Sequence, residues 1–245
     1  SNMVFIFCFI KQNWNKQRER RSIYILLKMN SENKNQKELK KVLIASKHFF
    51  CISHFNGELD WINSIDKSKY VVYNKSNREL DKKINNIKIK NVGYNIYSYL
   101  NFIIDNYENL PSTIVFCKDN IFTRHIKIST FTSLLKRNIF TSLEEKNKTL
   151  NFPISVHLSD NSFNEINSSW YKYKHSRKYF ADYNIFYNYI FKNARKPLFL
   201  KFAPGANYIV PKNHILLRSK NFYKNLLKFI SHSQYSCESH FTERS

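Results

Sequence analysis

Residues 94–117 read YNIYSYLNFIIDNYENLPSTIVFC, an amphipathic segment followed by a short apolar run. Apolar residues recur every three or four positions, at Ile96, Leu100, Ile103 and Tyr107. This spacing predicts a helix over Tyr94–Tyr107 with one buried face. Asn109-Leu110-Pro111 is a helix-ending sequence, and Thr113–Cys117 has the length and composition of a buried strand. A helix leading into a buried strand is typical of the crossover between two parallel strands.

Further strands and helices are predicted on both sides of this unit. The runs with strand character are Val42–Ala45, Phe49–Ser53, Tyr70–Tyr73, Ile84–Ile89, Leu198–Phe202 and Tyr208–Val210, and one or both of the first two are expected to be central strands. Helical spacing occurs in Gly57–Ile65, in Tyr179–Phe191 and after a capping Ser219. Strands alternating with helices predict an α/β fold, a single domain with a mainly parallel central sheet flanked by helices.

The chain divides unevenly along its length. Residues 1–41 carry ten Lys or Arg against three Glu, and we expect a basic, poorly ordered extension there. Residues 42–245 form the predicted α/β domain, with a polar insertion near 138–178 that could act as a lid. Val4–Ile10 is apolar but too short to cross a bilayer, so no transmembrane segment is predicted. A short anchor on a membrane surface is the alternative for this segment.

Composition limits the partners without choosing one. A net charge of +22 would suit a nucleic acid, but a bias towards Lys and Asn is also typical of an AT-rich coding sequence. Aromatic and basic residues alternate in 170–179, where they would suit a single strand, a glycan or a solvated loop. We therefore do not expect nucleic acid as the main partner. The four cysteines are widely separated and indicate a reducing, cytoplasmic compartment rather than a zinc site.

The sequence lacks the usual phosphate-binding and hydrolase motifs. It contains only three glycines, which excludes a glycine-rich loop around a phosphate. Several short segments instead carry a resemblance in a fixed order from residue 52 onward. They are ISHFNGELDW (52–61), YVVYNK (70–75), NVG (91–93), YL (99–100), NYENLP (106–111), FAPGA (202–206), FY (222–223) and HFTERS (240–245). Together they resemble the uncharacterised family DUF3431.

The family's layout is similar to that of the GT-A glycosyltransferases, which bind a nucleotide-sugar at the carboxyl ends of parallel strands. The resemblance implies a glycosyltransferase-like domain with a nucleotide-sugar as donor and a glycan or protein as acceptor. The residues that it places at the substrate are Ser53, His54, Asn56, Tyr73, Asn74, Lys75, Asn91, Gly93, Lys118 and Gly205. The alternative is a basic binding module for glycan or nucleic acid without catalysis.

The catalytic groups are implied by the same resemblance. GT-A enzymes usually hold Mn²⁺ or Mg²⁺ through an Asp-x-Asp turn, whereas the matching turn here, Lys118-Asp119-Asn120, has one carboxylate. Asp119 could bind a divalent metal weakly, or Lys118 could supply the positive charge in its place. Glu243, in the closing motif, is the expected general base, and a structural ion pair with Arg244 is the alternative for it.

Overall fold

The computed structural model describes residues 24–25, 28–145, 155–158, 164–195, 197, 199–203 and 205–245. The strands are β1 (Phe49–His54), β2 (Tyr70–Asn74), β3 (Asn86–Lys88), β4 (Thr113–Lys118), β5 (Thr141–Ser142), β6 (Ser155–Leu158), β7 (Phe199–Phe202) and β8 (Tyr208–Pro211). The helices are α1 (28–45), α2 (Tyr94–Asp105), α3 (Ile121–Arg124), α4 (Ile128–Leu134), α5 (Asn164–Asn167), α6 (Trp170–Lys174), α7 (Tyr183–Ile190), α8 (Lys212–Ile215), α9 (Lys220–Ile230) and α10 (Cys237–Glu243). Short 3₁₀ turns occur at Asp60–Ser64, Lys67–Lys69 and Tyr107–Asn109.

Six strands form a mixed sheet in the order β3-β2-β1-β4-β8-β5. The first four strands in that order are mutually parallel, whereas β8 runs antiparallel to both β4 and β5. The predicted α/β class is therefore confirmed, and the parallel arrangement holds for one side of the sheet. The remaining strands, β6 and β7, form a separate antiparallel pair.

The two faces of the six-stranded sheet are covered by different helices. On one face, Ile96, Leu100 and Ile103 of α2 are buried together with apolar residues of α7, α9 and α10. The predicted amphipathic helix is thus confirmed, with Asp105 as its last residue. Ser219 caps α9 as expected, since its hydroxyl accepts a hydrogen bond from Phe222 N at 3.3 Å.

The other face is covered in part by α1. Of the two apolar runs of which one or both were expected to be strands, Phe49–Ser53 lies in β1, whereas residues 42–45 are the last turn of α1. Leu39 and Leu43, four residues apart, are both buried in the second hydrophobic cluster. A run of four apolar residues fits either a strand or a helix face, and only the longer pattern shows the helical spacing. The expected boundary at residue 41 therefore falls inside a helix.

The polar segment 138–178 is partly built into the fold. Ile166 and Tyr171 are buried in the first hydrophobic cluster, on α5 and α6. Residues 146–154 and 159–163 of this segment, like residues 1–23 with the apolar run Val4–Ile10, lie outside the described residues. Among the helices of the described residues, none is long and apolar enough to cross a membrane.

Candidate functional site

A cleft of ≈ 1240 Å³ opens at the carboxyl ends of the parallel strands. After β1, the chain adds β2 and β3 on one side of the sheet and then crosses to β4 on the other side. The crevice between β1 and β4 is therefore the point at which the strand order reverses, where ligands of open α/β sheets bind. Ser53 and Lys118, near the ends of these two strands, both line the cleft.

Cations dominate the charged groups around the cleft. Its basic lining residues are Lys37, Lys40, Lys75, Lys118 and Arg124, and its acidic ones are Glu58, Asp60 and Asp119. Three of these cations come from three different elements outside α1. Lys75 follows β2, Lys118 ends β4 and Arg124 ends α3. This arrangement concentrates positive charge where a negatively charged ligand would be held away from bulk water.

Lys75 is buried, and two backbone carbonyl groups hold its ammonium group in place. Its Nζ donates hydrogen bonds to the carbonyl oxygens of Val92, at 2.7 Å, and of Tyr94. Burial, reinforced by the charge of Lys118, lowers the pKa of Lys75 to about 7. Because an ammonium group has three donors, one remains for a ligand in the cleft.

Lys118 is positioned by a strand from much later in the chain. Its backbone N–H donates to the side-chain oxygen of Asn207 at 3.0 Å, beside the antiparallel strand β8. Burial lowers the pKa of Lys118, as does the charge of Arg124, whereas Asp119 and Glu243 act in the opposite direction. Among the described residues its ammonium makes no hydrogen bond, which leaves all three donors for a ligand.

Asp119 organises the loop that follows β1. Its Oδ2 accepts hydrogen bonds from the N–H groups of Phe55, at 2.9 Å, and Gly57, at 2.7 Å, and lies 2.9 Å from His54 Nδ1. Its Oδ1 accepts from Asn120 N at 2.7 Å. Burial raises the pKa of Asp119, but these hydrogen bonds together outweigh it and hold the pKa below its usual value. A Cβ at Gly57 would lie 2.5 Å from Asp119 Cγ, so the close approach requires glycine.

The donors around Asp119 do not fit a resident divalent metal. Oδ2 already accepts from two N–H groups and contacts His54, and Oδ1 accepts from Asn120 N, which leaves one lone pair of a single carboxylate for a metal ion. No group of three His, Cys, Asp or Glu residues suited to a metal occurs in the part of the chain that the structure describes. We therefore assign Asp119 to loop positioning and the positive charge of the cleft to its lysines.

Aromatic rings also line the cleft. Phe55, Trp61 and Phe122 line the cleft, and Trp61 contacts Phe122 edge to face at 5.5 Å between ring centroids. The indole N–H of Trp61 donates to the carbonyl oxygen of Asp119 at 3.2 Å, which fixes the ring beside the loop. Rings next to cations suit a ligand that joins a flat apolar part to an anionic part.

The predicted site residues divide into two groups. Those that line the cleft are Ser53, Asn56, Lys75, Asn91, Lys118 and Asp119. Those that do not are His54, Tyr73, Asn74, Gly93, Gly205 and Glu243, and several of these support the cleft from behind. Asn74, for example, is buried and holds the turn after β2 through hydrogen bonds to Ser76 and Arg78. Tyr73 belongs to the hydrophobic cluster beneath α2.

Glu243, the expected base, holds a turn next to the cleft. Its carboxylate accepts hydrogen bonds from Gly205 N at 2.5 Å and Ala206 N at 2.9 Å, and it pairs with Arg244 at 3.3 Å. The ion pair offered by the alternative interpretation is thus present. Burial raises the pKa of Glu243, but His240, Arg244 and Gly205 N together lower it below its usual value, so the group is ionised.

Several lining residues escaped the sequence analysis. They include Phe55, Trp61, Tyr94, Phe122, Arg124 and Tyr235, together with Gln36, Lys37 and Lys40 of α1. The signal for Phe55 and Trp61 was present, since both lie within the segment 52–61 that carries the resemblance. Nothing in the local sequence marks Tyr235 or Arg124, which reach the cleft through the fold.

Comparison with known protein families now gives one result. The family described as "Protein of unknown function (DUF3431)" matches residues 52–243, which include the carboxyl end of β1 and the whole of β2, β4 and α10. The chain belongs to the DUF3431 family. No curated protein and no solved structure matches this DUF3431 chain. The family match thus covers the strand ends that form the cleft, whereas α1, which supplies Lys37 and Lys40, lies before it.

Proposed function

We propose that this DUF3431 domain binds a nucleotide-sugar in the cleft and transfers its sugar to a hydroxyl group of a glycan or protein. The observation that carries the proposal is the position of Lys75 and Lys118 at the strand ends beside the reversal of strand order, with Arg124 at the end of α3 lining the same cleft. A diphosphate that leaves with two electrons from a broken C–O bond needs such charge close to its oxygens. The proposal also follows from the sequence resemblance, which implies a layout similar to that of the GT-A glycosyltransferases.

The aromatic lining of the cleft suits the nucleobase of the donor. Phe55, Trp61 and Phe122 offer ring surfaces for a nucleobase, and the volume of ≈ 1240 Å³ is sufficient for a nucleotide-sugar. In this arrangement the lysines replace the metal ion that GT-A enzymes usually use. Binding of the diphosphate is then independent of Mn²⁺ and Mg²⁺.

Isothermal titration with UDP, in EDTA and then in Mn²⁺, tests the site directly. We expect UDP to bind in EDTA, and Lys118→Met to weaken binding about 10- to 100-fold, because a hydrogen bond to a charged group contributes about 1.5–3 kcal/mol. Lys82→Met, which removes an exposed lysine outside the cleft, is the matched control. Binding that requires Mn²⁺, or equal losses in the two variants, would contradict the proposed role of Lys118.

Lys75 predicts a dependence of UDP binding on pH. With a pKa of about 7, Lys75 is largely neutral at higher pH in the free protein. A bound diphosphate favours the ammonium form, so binding above this pKa must take up a proton. We expect the Kd of UDP to increase as the pH rises from about 7 to about 9, and to increase less in Lys75→Met. A Kd that stays constant over this range would rule out the coupling.

The non-catalytic alternative rests on a different surface. Trp170 and Tyr173 on α6 are exposed beside Lys172 and Lys174, which would suit a single-stranded nucleic acid or a glycan. Fluorescence anisotropy with a labelled oligothymidylate separates the two functions. If the oligonucleotide binds tightly and UDP does not compete, the basic binding module is favoured over the nucleotide-sugar site.

A further inference from the structure

A row of polar side chains connects the cleft wall with the buried carboxylate of Glu243. Tyr94 lines the cleft, and its hydroxyl lies 3.3 Å from His175 Nε2. His175 Nδ1 is 3.0 Å from His240 Nε2, and His240 Nδ1 is 3.7 Å from Glu243 Oε2. The first two contacts are hydrogen bonds, and the third is within ion-pair distance. The four groups come from α2, the residue after α6, and α10.

Only one arrangement of protons lets every donor in the row point in the same direction, towards Glu243. If His240 carries its proton on Nδ1, it faces Glu243 with a donor and presents a lone pair on Nε2 to His175. If His175 also carries its proton on Nδ1, its Nε2 accepts the hydrogen bond from the Tyr94 hydroxyl. Burial lowers the pKa of both histidines, which favours these neutral forms, and burial raises the pKa of Tyr94 to about 12, so the phenol keeps its proton.

The two imidazole rings are fixed in place by aromatic neighbours. Tyr171 stacks on His240, with ring centroids 4.4 Å apart and an angle of 15° between the planes. Trp170 contacts His175 edge to face at 5.0 Å, and Tyr235 stacks on it at 5.7 Å. Rings that cannot rotate keep their nitrogen atoms aligned, which proton transfer along the row requires.

The backbone of Tyr94 is held in an unfavourable conformation. Its φ is +49°, directly after Gly93 at +59°, and residues other than glycine rarely adopt this left-handed region of the backbone. Tyr94 N donates to Gln234 O at 3.4 Å, and Tyr94 O accepts from Lys75 Nζ. Such strain is concentrated at functional positions, where the surroundings hold a side chain in a required place.

We propose that this row is a proton relay in which the Tyr94 hydroxyl takes the proton of the acceptor. The inference rests on the proposed function and assigns its base. It retains a role for Glu243 but not as the group that touches substrate. Tyr94 is the catalytic residue in this scheme, and His175, His240 and Glu243 act through it.

The step conserves atoms and charge. The acceptor oxygen forms a bond to the anomeric carbon while the bond from that carbon to the diphosphate breaks, and its electron pair leaves with the diphosphate. The acceptor proton moves to Tyr94 Oη, and the phenol proton moves to His175 Nε2. The Nδ1 proton of His175 then moves to His240 Nε2, which leaves His240 as an imidazolium facing the carboxylate of Glu243. That carboxylate stabilises the cation without taking its proton, as in a serine-protease triad.

Tyr94→Phe removes the hydroxyl and keeps the ring that packs against the histidines. We expect turnover of UDP-glucose, followed as release of UDP, to fall about 10²- to 10⁴-fold, with the Kd of UDP unchanged. Tyr189→Phe is the matched control, because Tyr189 is 62 % exposed, packs on Phe180 and Phe229, and neither lines the cleft nor contacts the row. Turnover of Tyr94→Phe equal to that of the control would overturn the relay.

A second measurement tests the proposed relay even if no turnover of UDP-glucose is detected. Nitrogen-15 NMR of the unmodified protein at neutral pH should show His175 and His240 both neutral and both protonated on Nδ1. In Glu243→Gln, which can still accept from Gly205 N and Ala206 N, the pKa of His240 should fall further. A proton on Nε2 of either ring, or a charged ring in the resting protein, would overturn the relay. Failure of UDP to bind would instead contradict the nucleotide-sugar site.

Discussion

Leu43→Ala is expected to lower the free energy of unfolding by about 2–5 kcal/mol, the usual cost of a cavity in a packed core. Leu43 is 1 % exposed and packs on the sheet from α1, which ends just before β1. For a chain of this length the melting temperature should fall by about 4–20 °C, since each kcal/mol corresponds to about 2–4 °C. Thermal and urea unfolding both measure this loss.

Ile44→Ala is the control for this prediction. Ile44 is the next residue in the same helix, but it is 60 % exposed, so its truncation should change the free energy of unfolding by less than about 0.5 kcal/mol. If the two variants unfold alike, α1 does not pack as described, and the cleft loses the wall that carries Lys37 and Lys40.

Asp119→Asn should lower the free energy of unfolding by about 1–3 kcal/mol, the usual cost of leaving a buried hydrogen-bonding group without its partner. An amide keeps the shape of the side chain but replaces one acceptor oxygen with a donor. That donor would face the N–H groups of Phe55 and Gly57, or that of Asn120. The loop between β1 and the 3₁₀ turn would lose its anchor, and with it the wall formed by Phe55.

Asp105→Asn provides the comparison, because Asp105 is exposed at the end of α2 and should tolerate the same chemical change. Urea unfolding of both variants, with Mn²⁺ and with EDTA, also separates the loop-positioning role from a metal site. If Asp119 held a metal ion, Mn²⁺ would stabilise the parent protein and not Asp119→Asn. We expect Mn²⁺ to have no effect on either.

The sequence predicted those parts of the site whose signals are local. Buried runs such as Thr113–Cys117 identify strands, and the polar residues that follow them, including Lys75 and Lys118, must then lie at strand ends. Parallel strands bring their carboxyl ends to one edge of the sheet. Two of the cations of the cleft, Lys75 and Lys118, could therefore be named before the fold was known.

Other parts depend on contacts that no local pattern contains. His175 and His240 are 65 residues apart, and their contact follows from the packing of α6 against α10. The last turn of α1 was not recognised as helical because four apolar residues do not distinguish a strand from a helix. The roles expected of Asp119 and Glu243 came from a resemblance, which gives residue types but not the N–H groups that each carboxylate accepts.

The antiparallel strand β8 has a consequence for how the cleft is assembled during folding. β1 and β2 pair residues 20 positions apart, as at Phe50 and Tyr70, whereas the hydrogen bond from Lys118 N to the Asn207 side chain joins residues 89 positions apart. Closing a longer loop costs the chain more entropy, so we expect the second contact to form after the first. A partly folded chain that had paired only β1 with β2 would then carry two of the family's strands without its binding site.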